Sequence, residues 1–323
     1  MDCKVSILMS IFNESRDEMQ DSIESILNQT FSEFELIIVI DNPLRNDIYS
    51  FLQDTYGYEN RIRIYKNIEN IGLAMSMNKA ASLAKANIYA RMDADDICEP
   101  TRIQEQYSYM RKYKCDLCCT RFVYIDEFGT ILGRKVKQYT DESLLKFLPY
   151  FNTIHHPTVM MTQNIFECVG GYRDFPCSQD YDLWLRIIEK NAVVHLIDKP
   201  LLRYRIRENS ISQSKMVKQY FTIQYIRKLY KERKNNNIDS YSKENYVKYL
   251  KKNKVFDKRF LEKTQKYKLI KDKIDMYRGN PKKKVERFAM IIGLFCLSNF
   301  YRRYYLSIIF DKVEMKFLKH IER

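Results

Sequence analysis

The sequence predicts an α/β fold, a mixed sheet flanked by helices, followed by a basic and largely helical C-terminal region. Over about the first hundred residues, short apolar strands alternate with amphipathic helices, which is typical of strand–helix–strand units. The 323 residues are 45% hydrophobic, enough for one large or two ordinary domains. Residues 1–215 carry 26 Lys and Arg against 30 Asp and Glu, whereas residues 216–323 carry 29 against 11. We therefore expect one domain over 1–215 and a basic region over 216–323.

The predicted elements of the first domain follow from local patterns. Residues 4–9 are mostly apolar, which predicts a buried strand, and Ser15 with Glu18 matches a capping box that starts a helix. Further strands are predicted at 35–40, 61–66, 88–92, 117–125 and 130–137, and further helices at 46–55, 73–86 and 178–190. The early alternation predicts parallel strands joined by right-handed crossovers, and the pattern becomes mixed after about residue 115.

An acidic motif, Asp93-Ala94-Asp95, follows the predicted strand 88–92. In an extended backbone residues two apart face the same way, so both carboxylates would point into one cleft. Such oxygen ligands suit Mg²⁺ or Mn²⁺ carrying a diphosphate, although a solvated turn has the same sequence pattern. Asp41 and the Asn70–Gly72 loop also follow predicted strands, and ligands of parallel sheets bind at that edge. We therefore expect a nucleotide there.

Asp180 falls in the first turn of the predicted helix 178–190, where a carboxylate is favoured either as a structural cap or as a functional group. The chain has no G-x-G-x-x-G and no G-x-x-x-x-G-K-[ST], which argues against a dinucleotide fold and a P-loop NTPase. Eight irregularly spaced cysteines are expected to be free thiols, and Cys115-x-x-Cys118 lacks the partners that would complete a zinc site.

The basic region contains an apolar, aromatic segment at about 282–310, which is flanked by lysines. Its uncharged run over 288–301 is shorter than the roughly 20 residues that a membrane-spanning helix needs. This composition predicts an amphipathic segment at an anionic membrane surface, or alternatively a packed helical region with a solvated basic face. Because no secretory signal pattern precedes the first strand, we expect a cytoplasmic protein, peripheral at the inner face of the cell membrane.

Several motifs resemble those of the family 2 glycosyltransferases of GT-A fold, in the same order, over roughly residues 3–213. They are residues 5–13, 26–39, 70–73, 91–96, 170–172 and 179–186. The resemblance implies a nucleotide-sugar donor, usually a UDP-sugar, a divalent metal ion (Mg²⁺ or Mn²⁺), and transfer with inversion at the anomeric carbon. It also implies an acceptor that is a lipid-linked glycan, in capsule, O-antigen or exopolysaccharide synthesis.

The resemblance also implies roles for individual residues. Those for the donor and metal are Ser10, Phe12 and Asp41 at the base, Glu14 near the ribose, Asp93 at the ribose and metal-bound water, and Asp95 as metal ligand. Asp180 would be the catalytic base. Arg207 stands where the family often has His, and as a fixed cation it would clamp the diphosphate directly.

Two other classes of function compete with this interpretation. A sugar-phosphate nucleotidyltransferase would also be an α/β protein with paired carboxylates, but a Gly-rich basic loop should follow its first strand, where this chain has residues 10–14. The basic region, with its interleaved Tyr and Lys, would also suit a nucleic-acid-binding module. An inactive protein of the same fold is the remaining alternative. We expect no nucleic-acid partner, and the sequence allows a homo-oligomer.

Overall fold

The computed structural model describes residues 3–133, 136, 139–206, 216–277 and 281–309. The chain folds into two compact units, Met1–Ser214 and Lys215–Arg323.

The first unit is built on one mixed sheet. Its strands are β1 (Val5–Ile11), β2 (Phe34–Ile40), β3 (Ile62–Lys66), β4 (Ile88–Asp93), β5 (Ile97–Cys98), β6 (Leu117–Ile125), β7 (Ile131–Leu132), β8 (Met160–Thr162) and β9 (Val194–Arg205). Their order is β3-β2-β1-β4-β8-β6-β9-β5, with β7 paired to β6. The first four strands in this order are parallel, β8 is antiparallel to both of its neighbours, and β6 and β9 are parallel.

Helices cover this sheet. They are α1 (Arg16–Leu27), α2 (Asn46–Tyr56), α3 (Leu73–Ser82), α4 (Arg102–Tyr113), α5 (Asp141–Phe147), α6 (Gln163–Cys168) and α7 (Gln179–Ile188), with a 3₁₀ turn at His156–Thr158. Every residue of β1 and β2 is buried, as expected for parallel strands covered on both faces. The predicted capping box is formed, because Ser15 Oγ accepts from Glu18 N and the Glu18 carboxylate accepts from Ser15 N.

The α/β fold with a mixed sheet is confirmed, and three predicted boundaries differ. The helix predicted at 73–86 ends at Ser82, and in the predicted strand 130–137 only Ile131–Leu132 is a strand among the described residues. The extended backbone that was expected to align Asp93 with Asp95 ends at Asp93, because 94–96 form a turn. Asp96 N lies 3.4 Å from Asp93 O across that turn, so alternation of side chains along a strand does not reach Asp95.

The second unit is helical. Its helices are α8 (Met216–Asn236), α9 (Lys243–Lys252), α10 (Lys258–Lys266), α11 (Lys268–Met276), α12 (Lys284–Leu297) and α13 over 299–309. The chain is extended at Ser298, which separates α12 from α13. Among the described helices, none combines the length and the apolar character needed to cross a lipid bilayer.

Candidate active site

Three neighbouring parallel strands bring polar side chains to one edge of the sheet. In the register of β1, Ser10 lies opposite Val39 on one side and Asp93 on the other. Asp41 follows β2 directly, and its backbone N donates to Ile11 O at 2.8 Å. Ser10, Asp41 and Asp93 therefore lie at the carboxyl edge of the sheet, where the sequence predicted a ligand.

Asp41 is almost fully buried and organises the loop that follows β3. Its Oδ1 accepts from Asn67 Nδ2 at 2.8 Å and from Ile71 N at 2.9 Å. Asn67 is held in turn by Lys79 Nζ, 2.7 Å from its Oδ1. These bonds fix the 67–72 loop against the end of β2, a structural task that the sequence did not indicate for Asp41.

Phe12 and Glu14 lie on the more open side of this edge. The Phe12 side chain is 37% exposed, which is unusual for a phenylalanine so close to a buried strand. The backbone N of Phe12 donates to Glu14 Oε2 at 2.6 Å, and its carbonyl accepts from Asn42 Nδ2 at 3.4 Å. The main chain is thus restrained while the ring remains accessible to a flat ligand.

Three carboxylates cluster where β4 ends. The Asp96 side chain is 1% exposed, its Oδ1 accepts from Arg205 N at 2.9 Å, and its Oδ2 has no hydrogen-bond partner among the described residues. Burial, reinforced by the negative charges of Asp95 and Asp93, raises the pKa of the Asp96 carboxyl well above its ordinary value. The charges of Asp93 and Asp95 therefore act on the buried Asp96 carboxyl, next to the predicted metal position.

Two buried arginines bind to this cluster and to its backbone. Arg91, 2% exposed, is paired with the Asp93 carboxylate. Arg205 Nε donates to Asp95 O at 2.7 Å, and its Nη1 donates to Glu127 O at 2.6 Å. Because Arg205 joins the turn after β4 to the turn after β6, it fixes the backbone that presents the acidic side chains. The local sequence motifs gave no sign of this positioning role.

The carboxylate oxygens of this cluster suit a hard divalent cation that also binds a phosphate ligand. Within the described residues, no group of three or more His, Cys, Asp or Glu is arranged to hold a metal ion by itself. Magnesium commonly takes one or two protein carboxylates and completes its shell with water and phosphate oxygens. Asp95 and Asp93 would provide such a partial set.

Asp180 lies in the first turn of α7, which Ser178 begins in the left-handed region at φ 57°. Asp180 Oδ2 accepts from Asn152 Nδ2 at 2.7 Å. Burial is the main cause that raises the pKa of Asp180, the Asp93 charge raises it further, and hydrogen bonds from Tyr181 N and Asn152 offset part of the rise. The Asp93 charge thus acts on the Asp180 carboxyl, although the two residues are 87 positions apart in the sequence.

The loop before α7 is packed on a polar core. Asn78 accepts from Tyr172 N at 2.9 Å and donates to Tyr172 O at 2.8 Å. The Tyr172 hydroxyl lies 2.7 Å from His156 Nε2, and Arg186 Nη2 donates to Gly171 O at 2.8 Å. Gly171 has φ +64°, and a Cβ there would lie 2.7 Å from Asn78 Oδ1. This loop is therefore held from both sides, which fixes the start of α7.

A cavity of about 150 Å³ is lined by residues of the same unit, including residues that interact with the Asp180 and Asp93 carboxylates. Its lining includes Asn152, the hydrogen-bond partner of Asp180, and also His155. The Asp93 charge acts to raise the pKa of His155. Burial lowers the pKa of His155 to about 4, so the ring is neutral near pH 7. Phe122 and Tyr139 add aromatic surface to the lining.

The structure thus brings together most of the predicted site residues. Ser10, Phe12, Glu14 and Asp41 lie along the edge formed by β1 and β2, and Asp93, Asp95 and Asp180 are linked by their electrostatic effects. Arg207 lies outside the described residues. Sequence patterns assigned no role to Asn152, His155 or Arg205, because their parts in the site depend on contacts with distant residues. Asp96 lies within the 91–96 motif but was assigned no role of its own.

Comparisons with known proteins identify the family of this chain. The family model described as glycosyl transferase family 2 matches residues 6–170. An uncharacterized glycosyltransferase of Methanocaldococcus jannaschii, MJ1057, is 35% identical over 220 residues, 67% of this chain and 76% of that protein. The O-antigen biosynthesis glycosyltransferase WbnJ of Escherichia coli is 34% identical over 212 residues, 65% of this chain and 82% of that protein.

A solved structure shares the fold. The crystal structure of S. aureus TarS 1-349 in complex with UDP-GlcNAc aligns with a TM-score of 0.59 and 14% identity, covering 90% of this chain and 80% of that one. At that identity the likeness concerns the fold alone. The family model covers more than half of the chain and includes the strands that carry Ser10, Asp41 and Asp93. The chain therefore belongs to glycosyl transferase family 2, and it is a glycosyltransferase.

Proposed function

We propose that this glycosyltransferase moves a sugar from a nucleotide diphosphate donor, a UDP-sugar, to a hydroxyl of a glycan, with inversion at the anomeric carbon. One observation carries the proposal: Asp180, a carboxylate whose pKa is raised, lies within electrostatic range of the acidic cluster at the end of β4. A proton acceptor therefore lies near a place suited to a metal-bound diphosphate. TarS, which shares the fold, has been solved in complex with UDP-GlcNAc and with UDP.

Asp180 is the catalytic base of this proposal. Its Oδ2 is oriented by Asn152, and the carboxylate takes the proton of the acceptor hydroxyl as that oxygen attacks C1 of the sugar. The bond from C1 to the diphosphate oxygen breaks in the same displacement, and the nucleoside diphosphate leaves with the bonding electrons. A base of raised pKa accepts this proton more readily, and general-base catalysis contributes about 10²–10⁴-fold.

The metal would be held by Asp95, with Asp93 at its bound water and the ribose. When present, Mg²⁺ or Mn²⁺ neutralises the charge that develops on the leaving diphosphate. Arg91 and Arg205 position the acidic residues and do not contact the ligand in this proposal. Arg91 pairs with Asp93, and Arg205 holds the backbone of Asp95, before any ligand binds. Arg207 is proposed as a further cation on the diphosphate.

The nucleobase would lie at the other end of the sheet edge. The exposed Phe12 ring provides a stacking surface, and Ser10 lies two residues before it, in β1. Asp41 uses Oδ1 for Asn67 and Ile71, so its Oδ2 would accept from the base imide. Glu14, tied to the Phe12 backbone, would lie near the ribose.

The acceptor would enter from the side of the 150 Å³ cavity. Sugars bind well against aromatic rings flanked by polar groups, which is how Phe122, Tyr139 and Asn152 are combined in the cavity lining. The relative WbnJ is named for O-antigen biosynthesis. We propose that the acceptor here is likewise a surface glycan, linked to lipid.

A lipid-linked acceptor would require this protein at the inner face of the cell membrane. Helix α12 has an exposed apolar stripe that includes Val285, Phe288 and Ile292, which are 83%, 64% and 48% exposed. These positions recur at helical spacing, and three lysines directly precede the stripe. An apolar stripe next to lysines is the arrangement of an interfacial helix at anionic lipid. We therefore propose that residues 216–323 hold the enzyme peripherally on the membrane.

The test is a screen of nucleotide sugars for turnover with Mn²⁺ or Mg²⁺ and with EDTA. We expect release of the nucleoside diphosphate from one UDP-sugar, dependent on the metal. Asp180→Asn should reduce transfer at least 100-fold while donor binding is retained, since the amide cannot accept the proton. Asp54→Asn, on the exposed side of α2, is the matched control. Release of pyrophosphate from a nucleoside triphosphate and a sugar 1-phosphate, without turnover of any nucleotide sugar, would identify a nucleotidyltransferase. Full activity of Asp180→Asn would exclude that residue as base.

A further inference from the structure

A second cavity, of about 270 Å³, lies wholly within the helical unit of residues 215–323. Nothing in the glycosyltransferase site uses it. Its lining residues are Phe221, Lys252, Asn253, Lys254, Phe260, Lys263, Thr264, Ser298, Asn299, Phe300 and Arg303. We propose that this cavity binds the phosphate headgroup of an anionic membrane lipid, and so gives the peripheral attachment proposed above a specific site.

The charge of the lining is the first argument. It contains four cations, Lys252, Lys254, Lys263 and Arg303, and no carboxylate. Among the described residues, no ion pair neutralises any of these four. Elsewhere in the unit lysines are paired along their own helices, as Lys271 is with Asp275 at 2.5 Å. Positive charge without a counter-charge around a concave surface favours a bound anion.

Hydrogen-bond donors at the cavity are the second argument. Ser298 is 3% exposed and precedes α13, and its Oγ accepts from Tyr301 N at 3.4 Å. Accepting that bond leaves the hydroxyl proton available for a ligand oxygen. Residues 299 and 300 begin α13, and the first N–H groups of a helix have no partner within the helix and favour negative charge. The Ser298 hydroxyl and these N–H groups would strengthen the binding of an anion that the four cations attract. Without the cations they would contribute little to that binding.

The apolar surroundings identify the anion as part of an amphiphile. Phe221 and Phe300, each 1% exposed, form a buried aromatic floor. Phe256, Leu261 and Leu297 are near lining residues in the sequence and are 54%, 36% and 57% exposed. A free phosphate has no apolar surface to pack against these side chains, whereas the acyl chains of a lipid would cover them.

The size of the cavity fits a headgroup and not a whole lipid. Pockets that enclose drug-sized ligands measure about 300–1,000 Å³, so 270 Å³ is slightly below that range. The acyl chains would therefore remain outside, in the bilayer. Because the rings of the floor are buried, they are not available to stack on bases, which favours a lipid over a nucleic acid.

The test is flotation of the full-length chain with phosphatidylcholine vesicles, with and without phosphatidylglycerol. The variant Lys254→Gln with Lys263→Gln removes two charges from the cavity. Its matched control, Lys258→Gln with Lys266→Gln, removes two exposed charges from the same segment that do not line the cavity. We expect the cavity variant to lose about tenfold in affinity for phosphatidylglycerol vesicles, and the control about threefold or less. Circular dichroism verifies that both variants fold.

Three results would overturn the proposal. Equal losses in both variants would mean diffuse attraction to the membrane. Binding of inorganic phosphate that depends on the cavity lysines, with vesicle binding unchanged, would identify a free anion as the ligand. The same dependence for a labelled oligonucleotide would identify nucleic acid. Turnover of the donor sugar in solution is measured on the wild type without vesicles, so a failure of the proposed enzymatic function is distinguished from a failure of this site.

Discussion

Removing the amide that orients the proposed base should change the pH dependence of the enzyme. Asn152 Nδ2 donates to Asp180 Oδ2 at 2.7 Å, and this bond stabilises the ionised carboxylate and lowers its pKa. Asn152→Ala removes the bond, so the pKa of Asp180 rises further. Transfer requires the ionised form, and the acidic limb of the kcat/KM profile should therefore move to higher pH.

The size of the shift follows from the strength of the bond. A hydrogen bond to a charged group contributes about 1.5–3 kcal/mol, and one pKa unit corresponds to about 1.4 kcal/mol. Asn152 is exposed, so water replaces part of the interaction, and we expect a shift of about 0.5–1 pH unit. Well above the limb, where Asp180 is ionised in both enzymes, kcat should be nearly unchanged.

The assay is nucleoside diphosphate release over a series of pH values, with metal and donor saturating and acceptor varied. Asn87→Ala, an exposed asparagine remote from Asp180 in sequence, serves as the control and should leave the limb in place. Asn152→Asp puts a second carboxylate at the same position and should shift the limb further in the same direction. A limb that stays in place, or moves to lower pH, in Asn152→Ala would refute the assignment of Asp180 as the titrating base.

Two further predictions concern the loop before α7 and the edge of the sheet. Gly171→Ala should lower the free energy of unfolding by about 1–3 kcal/mol more than Gly170→Ala, because both have positive φ but only a Cβ at Gly171 meets Asn78, at 2.7 Å. Urea unfolding measures the difference. Equal losses in the free energy of unfolding would mean that Asn78 moves away from the added Cβ without destabilising the protein. Phe12→Ala should raise the donor KM about tenfold with little change in kcat, and Phe12→Tyr should restore it, since stacking on one base contributes about 1–3 kcal/mol. An unchanged KM for Phe12→Ala would exclude the ring from donor binding.

Local patterns in the sequence were sufficient to predict the elements at the edge of the sheet where Ser10, Asp41 and Asp93 lie. The apolar runs predicted β1 and β2, and the Ser15–Glu18 capping box predicted the start of α1, because each depends only on neighbours in the chain. Parallel pairing of these strands then placed Asp41 and Asp93 at one edge without further information.

The parts that the sequence did not predict depend on interactions between distant residues. Asp95 leaves the extended geometry in a turn whose carbonyl is held by Arg205, 110 positions later. Asn152 becomes part of the site only through Asp180, 28 positions later. No pattern of neighbouring residues in the sequence indicates either interaction. The cavity at Lys254 is of the same kind, since its walls come from several separate segments of the helical unit.

The binding of UDP with and without Mn²⁺ measures whether a divalent ion joins the acidic cluster to a diphosphate. Calorimetry on the wild type should show that Mn²⁺ strengthens UDP binding at least tenfold over EDTA. Asp95→Asn should lose most of that gain, while Asp54→Asn on the exposed side of α2 should retain it. Equal affinity for UDP with Mn²⁺ and with EDTA in the wild type would mean that no metal ion joins these carboxylates to the diphosphate.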